Sequence, residues 1–186
     1  MKNRNTLIIL FKKIRQRIKG DTLSELISMG LKVGRNFNPQ NNCIIDYSHC
    51  WLIEIGDNVT LAPNVHILAH DASTKMHIGY TRIGKVMIGN NVFIGAGAII
   101  LPNVNIGDNV IIGDGSVVSK NIPENSVVIG NPCKIIGRTI DFTNKHKEYM
   151  KTKPCFGLEY TLRGKITSKM KNEMKTELKD SFGYVI

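Results

Sequence analysis

From residue 88 to residue 118 an aliphatic side chain returns at every sixth position: Ile88, Ile94, Ile100, Ile106, Ile112 and Val118. Four places after each of the first five stands a small or β-branched residue: Val92, Ala98, Val104, Val110 and Ser116. The same frame runs upstream at Ile55, Leu61 and Ile67, with Val59 and Val65 on the second track. A weaker stretch carries Val33, Pro39 and Ile45, with Phe37 and Cys43. Residues 50–54 break the frame, which predicts a bulge or a wider corner there. Helical periodicity fails throughout the region.

A hexad is one short strand plus one turn, with its aliphatic first residue pointing inward. The Gly, Asn or Asp beside that residue suits a tight corner that wants left-handed backbone angles. Three hexads close a triangular coil of about eighteen residues, and successive coils stack by strand pairing about 4.8 Å apart. One coil is too thin to bury its own interior, so stability comes from stacked neighbours. The predicted class is mainly β, a parallel β-helix. Its open ends are unpaired strand edges, and covering them is the default role of the flanking segments.

Those flanks read differently. Thr6–Met29 predicts one or two amphipathic helices broken near Gly20-Asp21, with Asp21 as N-cap of Thr22–Met29. The end of the chain is polar and Lys-rich, with a helix expected around Thr167–Leu178. The organisation expected is an N-terminal helical segment at 1–30, a β-helix domain at 31–138 with an extruded loop at about 70–85, and an extension at 139–186.

Charge sharpens this division. Net charge is +10 over 186 residues, but residues 1–20 carry +7, residues 21–133 carry −3 and residues 134–186 carry +6. The basicity sits on the ends, which argues against a nucleic-acid surface on the body. For the N-terminal segment, capping or oligomer packing leads, with peripheral membrane contact through its basic-bordered apolar face as the alternative. Cys43, Cys50, Cys133 and Cys155 have no metal spacing, and no signal peptide or transmembrane stretch is evident. Reduced thiols in a cytoplasmic protein are expected.

The hexads, the interruption after His70 and the closing run Ile122-Pro-Glu-Asn-Ser-Val-Val-Ile-Gly-Asn-Pro-Cys-Lys134 resemble the hexapeptide-repeat acetyltransferases. Within that family the sugar and polysaccharide O-acetyltransferases, which include the galactoside and maltose enzymes, are nearest. The resemblance covers about residues 33–138. It implies that the β-helix is left-handed, which spacing alone does not give. It also implies a homotrimer with sites in the clefts between subunits, acetyl-CoA as co-substrate, no metal, and a glycan or other small-molecule acceptor.

Acetyl transfer to an alcohol needs a base, because an alcohol is not ionised at neutral pH. Five histidines are present. His70 follows the last regular upstream hexad and opens the irregular loop, and long loops leaving a regular scaffold are commonly functional. In the resembling enzymes the base is a histidine at this place, after an Ala-Pro-Asn-Val coil, here Ala62-Pro63-Asn64-Val65. His66 reads as surface, His77 as a loop residue near the acceptor, and His146 is given no role. His49, at the frame break, reads as structural, with approach to the site as the alternative.

A base histidine is oriented through its other nitrogen, and Asp46 and Asp71 are the carboxylate candidates. Asp46 resembles the family's acceptor-side carboxylate, and Asp71 either contacts substrate or caps its own turn. Backbone N–H groups at Gly95-Ala96-Gly97 are candidates for the oxyanion, with tight corners as the alternative. Phe93 matches a position bordering the acceptor, or is an exterior residue of the trimer interface. For acetyl-CoA the resemblance implies Gly95, Ala96, Asp114, Ser119, Lys120, Asn131, Lys134 and Arg138.

Other readings keep the coil and change the function. The acceptor could be an antibiotic, serine or an amino-sugar nucleotide. A γ-type carbonic anhydrase needs three histidines on zinc, and here only His66 and His70 are closely spaced. A non-catalytic scaffold would have no need of His70.

Overall fold

The hexads fold as short parallel strands in a computed structural model that describes residues 23–186. Of the one or two helices expected over Thr6–Met29, residues 6–22, with the Asp21 cap and the break near Gly20-Asp21, lie outside the described residues. Among the described residues α1 (Leu23–Ser28) falls in the expected Thr22–Met29 stretch and buries Leu26 in the same cluster as Leu31, Cys50 and Ile53.

Three strands follow, β1 (Lys32–Val33), β2 (Asn38–Pro39) and β3 (Ile44–Ile45), each on a different sheet. A 3₁₀ turn, Cys50–Leu52, takes up the expected frame break. The chain then revisits the three sheets in the same order with β4 (Ile53–Ile55), β5 (Thr60–Leu61) and β6 (His66–Ile67). An antiparallel pair, β7 (His70–Asp71) and β8 (Arg82–Ile83), forms the base of the extruded loop, which also holds α2 (Lys75–Ile78). Two more rounds are β9 (Val86–Ile88), β10 (Phe93–Ile94), β11 (Ile99–Ile100), then β12 (Val104–Ile106), β13 (Ile111–Ile112) and β14 (Val117–Val118). Neighbouring rounds pair parallel and in frame, as in Ile94↔Leu61 and Ile94↔Ile112.

Both hexad tracks point inward. Leu61, Ile67, Ile94, Ile100, Ile112 and Val118 are fully buried, as are Val59, Val65, Ala98, Val110 and Ser116. Truncating one of the larger side chains to Ala would cost about 2–5 kcal/mol.

The corners correct one expectation. Left-handed angles do not fall on the residue beside the aliphatic one; they fall two places later. Asn36, Asn42, Asn58, Asn64, Asn91, Asn103, Asn109 and Asn125 all have φ between 56° and 65°, apart from Asn91 at 55°, and Gly97 and Gly115 take the equivalent place. The glycines beside the aliphatics serve coil stacking instead. A Cβ on Gly89 would lie 2.3 Å from Asp108 Oδ1, and one on Gly95 would lie 2.6 Å from the Asp114 backbone nitrogen. Along one corner Asn36, Asn58, Asn91, Asn109 and Asn125 join side chain to side chain at 2.8–3.1 Å.

The last round ends in β15 (Ser126–Ile129), and β16 (Lys134–Arg138) turns back antiparallel beside it, covering the final edge of the second sheet. The described chain separates into two compact units, with the break between Thr139 and Ile140. The second unit is more than the polar extension expected from sequence. It holds most of α3 (Thr139–Met150), a parallel pair β17 (Cys155–Phe156) and β18 (Tyr184–Val185), and α4 (Ser168–Glu177). The α4 helix matches the expected span and is capped by Thr167, whose side chain accepts from the Met170 N–H. Phe142, His146, Tyr149, Phe182 and Tyr184 form an aromatic cluster within it, too irregularly spaced to be read from the sequence.

Candidate active site

Asp46 directly follows β3 and His70 opens β7, so the third sheet delivers both to one edge of the coil. Asp46 Oδ2 lies 2.5 Å from His70 Nδ1 and also accepts the Ala69 N–H at 2.8 Å. The other oxygen, Oδ1, accepts the His49 N–H at 3.2 Å. The Asp46 side chain is wholly buried, whereas 35% of the His70 side chain is exposed. Burial alone opposes ionisation of Asp46. The hydrogen bonds from His70, Ala69 and His49 outweigh it and hold the carboxyl below its ordinary range. An ionised carboxylate can only accept, so the proton of a neutral His70 resides on Nδ1 and the Nε2 lone pair is left for chemistry.

The frame break brings in a third group. The His49 ring sits 5.2 Å from the His70 ring and 5.4 Å from Trp51. Its Nδ1 is buried with no hydrogen-bond partner, 4.0 Å from Asp46 Oδ1. The sequence offered only the break itself as a signal for this.

Asp71 takes its capping alternative: it accepts the Ser73 N–H at 2.9 Å and pairs with Arg82 at 3.3 Å. The Gly95, Ala96 and Gly97 N–H groups donate to Ile112 O, Asp114 Oδ1 and Pro63 O, so all three are already used in stacking. The tight-corner alternative therefore describes them better than an oxyanion donor set does. Phe93 is 44% exposed on β10. His66 is half-buried on β6, and His77 is exposed on α2.

Several residues expected to bind acetyl-CoA do come together. Asp46, Leu68, Leu101 and Ser119 each follow the third sheet on successive rounds, so the Asp46–His70 pair and Ser119 share one edge. Three coil steps separate Asp46 from Ser119, about 14 Å. Val117 donates to Gly130 O and accepts from the Cys133 N–H, so the turn that holds Asn131 is fastened to β14, two residues before Ser119. Burial pushes the Cys133 thiol up, which disfavours its thiolate. Lys120 and Ser119 line a shallow groove with Lys85, Met87, Asn105 and Asn121. Lys134 and Arg138 are exposed on β16.

A family model described as bacterial transferase hexapeptide (six repeats) matches residues 85–120. The crystal structure of a maltose O-acetyltransferase from Clostridium difficile 630 has a TM-score of 0.52 and 36% identity, covering 69% of this chain and 84% of that one. The chain belongs to the hexapeptide-repeat transferases. It is also similar to a galactoside acetyltransferase solved in complex with coenzyme A, with TM-score 0.54 and 39% identity, over 60% of this chain and 56% of that one. Galactoside O-acetyltransferase of Escherichia coli K12 is 42% identical over 124 residues, 62% of this chain and 57% of the relative. Protein CapG of Staphylococcus aureus is 46% identical over 93 residues, 48% of this chain and 54% of the relative. The chain thus spans little more than half the length of either curated relative.

Proposed function

We propose that this protein transfers an acetyl group from acetyl-CoA to a hydroxyl of a sugar or polysaccharide precursor, with His70 as general base. The observation that carries the reading is the Asp46–His70 pair, a buried ionised carboxylate fixing the tautomer of a partly exposed imidazole. His70 Nε2 takes the acceptor hydroxyl proton as its oxygen attacks the thioester carbonyl. The tetrahedral adduct then expels CoA sulfur, and the imidazolium returns the proton to the departing thiolate. Asp46 keeps Nδ1–H in place and stabilises the transient imidazolium.

Acetyl-CoA lies along the shared edge, its acetyl end at His70 and its phosphates and adenine towards Ser119, Lys120, Asn131, Lys134 and Arg138, with Gly95, Ala96 and Asp114 on the neighbouring corner. Phe93 borders the acceptor. The family likeness supports a closed left-handed coil and a homotrimer whose subunit clefts complete each site. All four cysteines are free thiols, which supports a reducing cytoplasmic setting. No helix among the described residues is long and apolar enough to cross a membrane.

The test is release of free thiol from acetyl-CoA with a panel of sugars, polysaccharide fragments, serine and aminoglycosides. Turnover with a sugar acceptor, falling roughly 10²–10⁴-fold in His70→Ala, supports the reading. Equal turnover in the two proteins overturns His70 as base, and turnover with serine or an antibiotic alone replaces the acceptor class.

A further inference from the structure

We propose that Asp46, His49 and His70 form a chelating site for a borderline transition dication such as Zn²⁺, and that its occupation shuts off the general base. One donor atom from each of the three residues lies within 4.8 Å of the others. In a tetrahedral zinc site with bonds of 2.0–2.2 Å, neighbouring donor atoms stand about 3.4 Å apart. The two separations known here bracket that value: His70 Nδ1 to Asp46 Oδ2 is 2.5 Å, and His49 Nδ1 to Asp46 Oδ1 is 4.0 Å. Each lies within 1 Å of that spacing, one on each oxygen of Asp46.

A second observation singles out His49. Its Nδ1 is the one buried side-chain nitrogen or oxygen without a hydrogen-bond partner among the described residues. An unmade bond at a buried nitrogen costs free energy. At 4.0 Å from Asp46 Oδ1 it is too far away for a hydrogen bond, and a cation seated between the two would bind both. Two imidazoles and one carboxylate are a donor set that zinc accepts, with a fourth position left for water. Metal on His70 Nδ1 needs the lone pair there, so the ring's proton moves from Nδ1 to Nε2, and Nε2 no longer has a lone pair for the acceptor hydroxyl. The cation is therefore an inhibitor, and that half of the inference rests on the proposed acetyl transfer; the binding half does not.

The two halves separate in one experiment on untagged full-length protein. Zn²⁺ is titrated calorimetrically into wild type and His49→Ala, and Co²⁺ is added in parallel to read its visible d–d absorption. Wild type should bind one metal per chain, and His49→Ala should bind roughly 10–100-fold more weakly and lose the cobalt absorption. Acetyl transfer by wild type should fall with the same midpoint as Zn²⁺ binding, while the turnover of His49→Ala, taken relative to its own metal-free level, resists the ion. Circular dichroism verifies that the variant is folded. Equal metal affinity in the two proteins, or no binding by wild type at millimolar Zn²⁺, overturns the site. Binding that depends on His49 but leaves turnover intact overturns the inhibition alone, since the role of His70 is read separately from His70→Ala.

Discussion

Asp46 Oδ2 and His70 Nδ1 meet at 2.5 Å although 24 residues separate them in the chain. One turn of coil, lengthened by the Cys50–Leu52 turn, brings the end of β3 under the end of β6. A buried carboxylate this close to an imidazole sets which ring nitrogen is free. Replacing Asp46 by Asn keeps the volume but removes the charge and the fixed tautomer. The kcat of Asp46→Asn should fall roughly 10²–10⁴-fold, with the KM for acetyl-CoA nearly unchanged, in steady-state assays.

Stability should carry the same mark in acid. The folded pKa of Asp46 lies below its unfolded value of about 3.9. Its contribution is therefore fully present above about pH 4 and is lost as pH falls through the folded pKa. Urea midpoints measured from pH 7 to pH 3 should drop more steeply for wild type than for Asp46→Asn below about pH 4. Parallel curves would mean that the carboxyl is not held down in the fold.

The asparagine ladder predicts a backbone and a side-chain effect that can be told apart. Asn91 has φ 55° and bonds both Asn58 and Asn109. Asn91→Ala should lose about 1–3 kcal/mol in urea unfolding, from left-handed strain plus two lost bonds. Asn91→Gly should lose less, because the strain is relieved and only the bonds go.

Glycines two residues apart should respond differently. A Cβ on Gly95 meets the backbone of Gly113 and Asp114 at 2.6–2.7 Å, so Gly95→Ala should cost about 1–3 kcal/mol or more. Gly97 has φ 67° and open space around a Cβ, so Gly97→Asn, the residue most other coils carry there, should be nearly neutral. Thermal midpoints of the two variants decide this.

The same pair of positions explains what the sequence could and could not yield. The hexad gave the inward tracks and the strand spacing directly, because burial alone dictates Ile94, Ile100 and Ile112. It misplaced the left-handed corner, since Gly, Asn and Asp crowd both turn positions. The distinguishing signal was there: Gly34, Gly56, Gly89 and Gly107 admit no side chain, whereas Asn58, Asn91, Gly97 and Asn109 exchange Asn with Gly. Sterics govern the first position and dihedral preference the second. His70 and Asp46 were readable from the loop start and the coil below. His49 was readable only as the second alternative, because its approach depends on how a frame break folds, and a break has no periodicity to extrapolate.

The most direct test is a double-mutant cycle on kcat for acetyl transfer with Asp46→Asn, His70→Ala and both together. A base and the carboxylate that orients it act as one unit, so the double variant should be no slower than His70→Ala alone, within about threefold. Losses that multiply would mean that Asp46 and His70 contribute independently, and the account of His70 as a base held by Asp46 would be wrong.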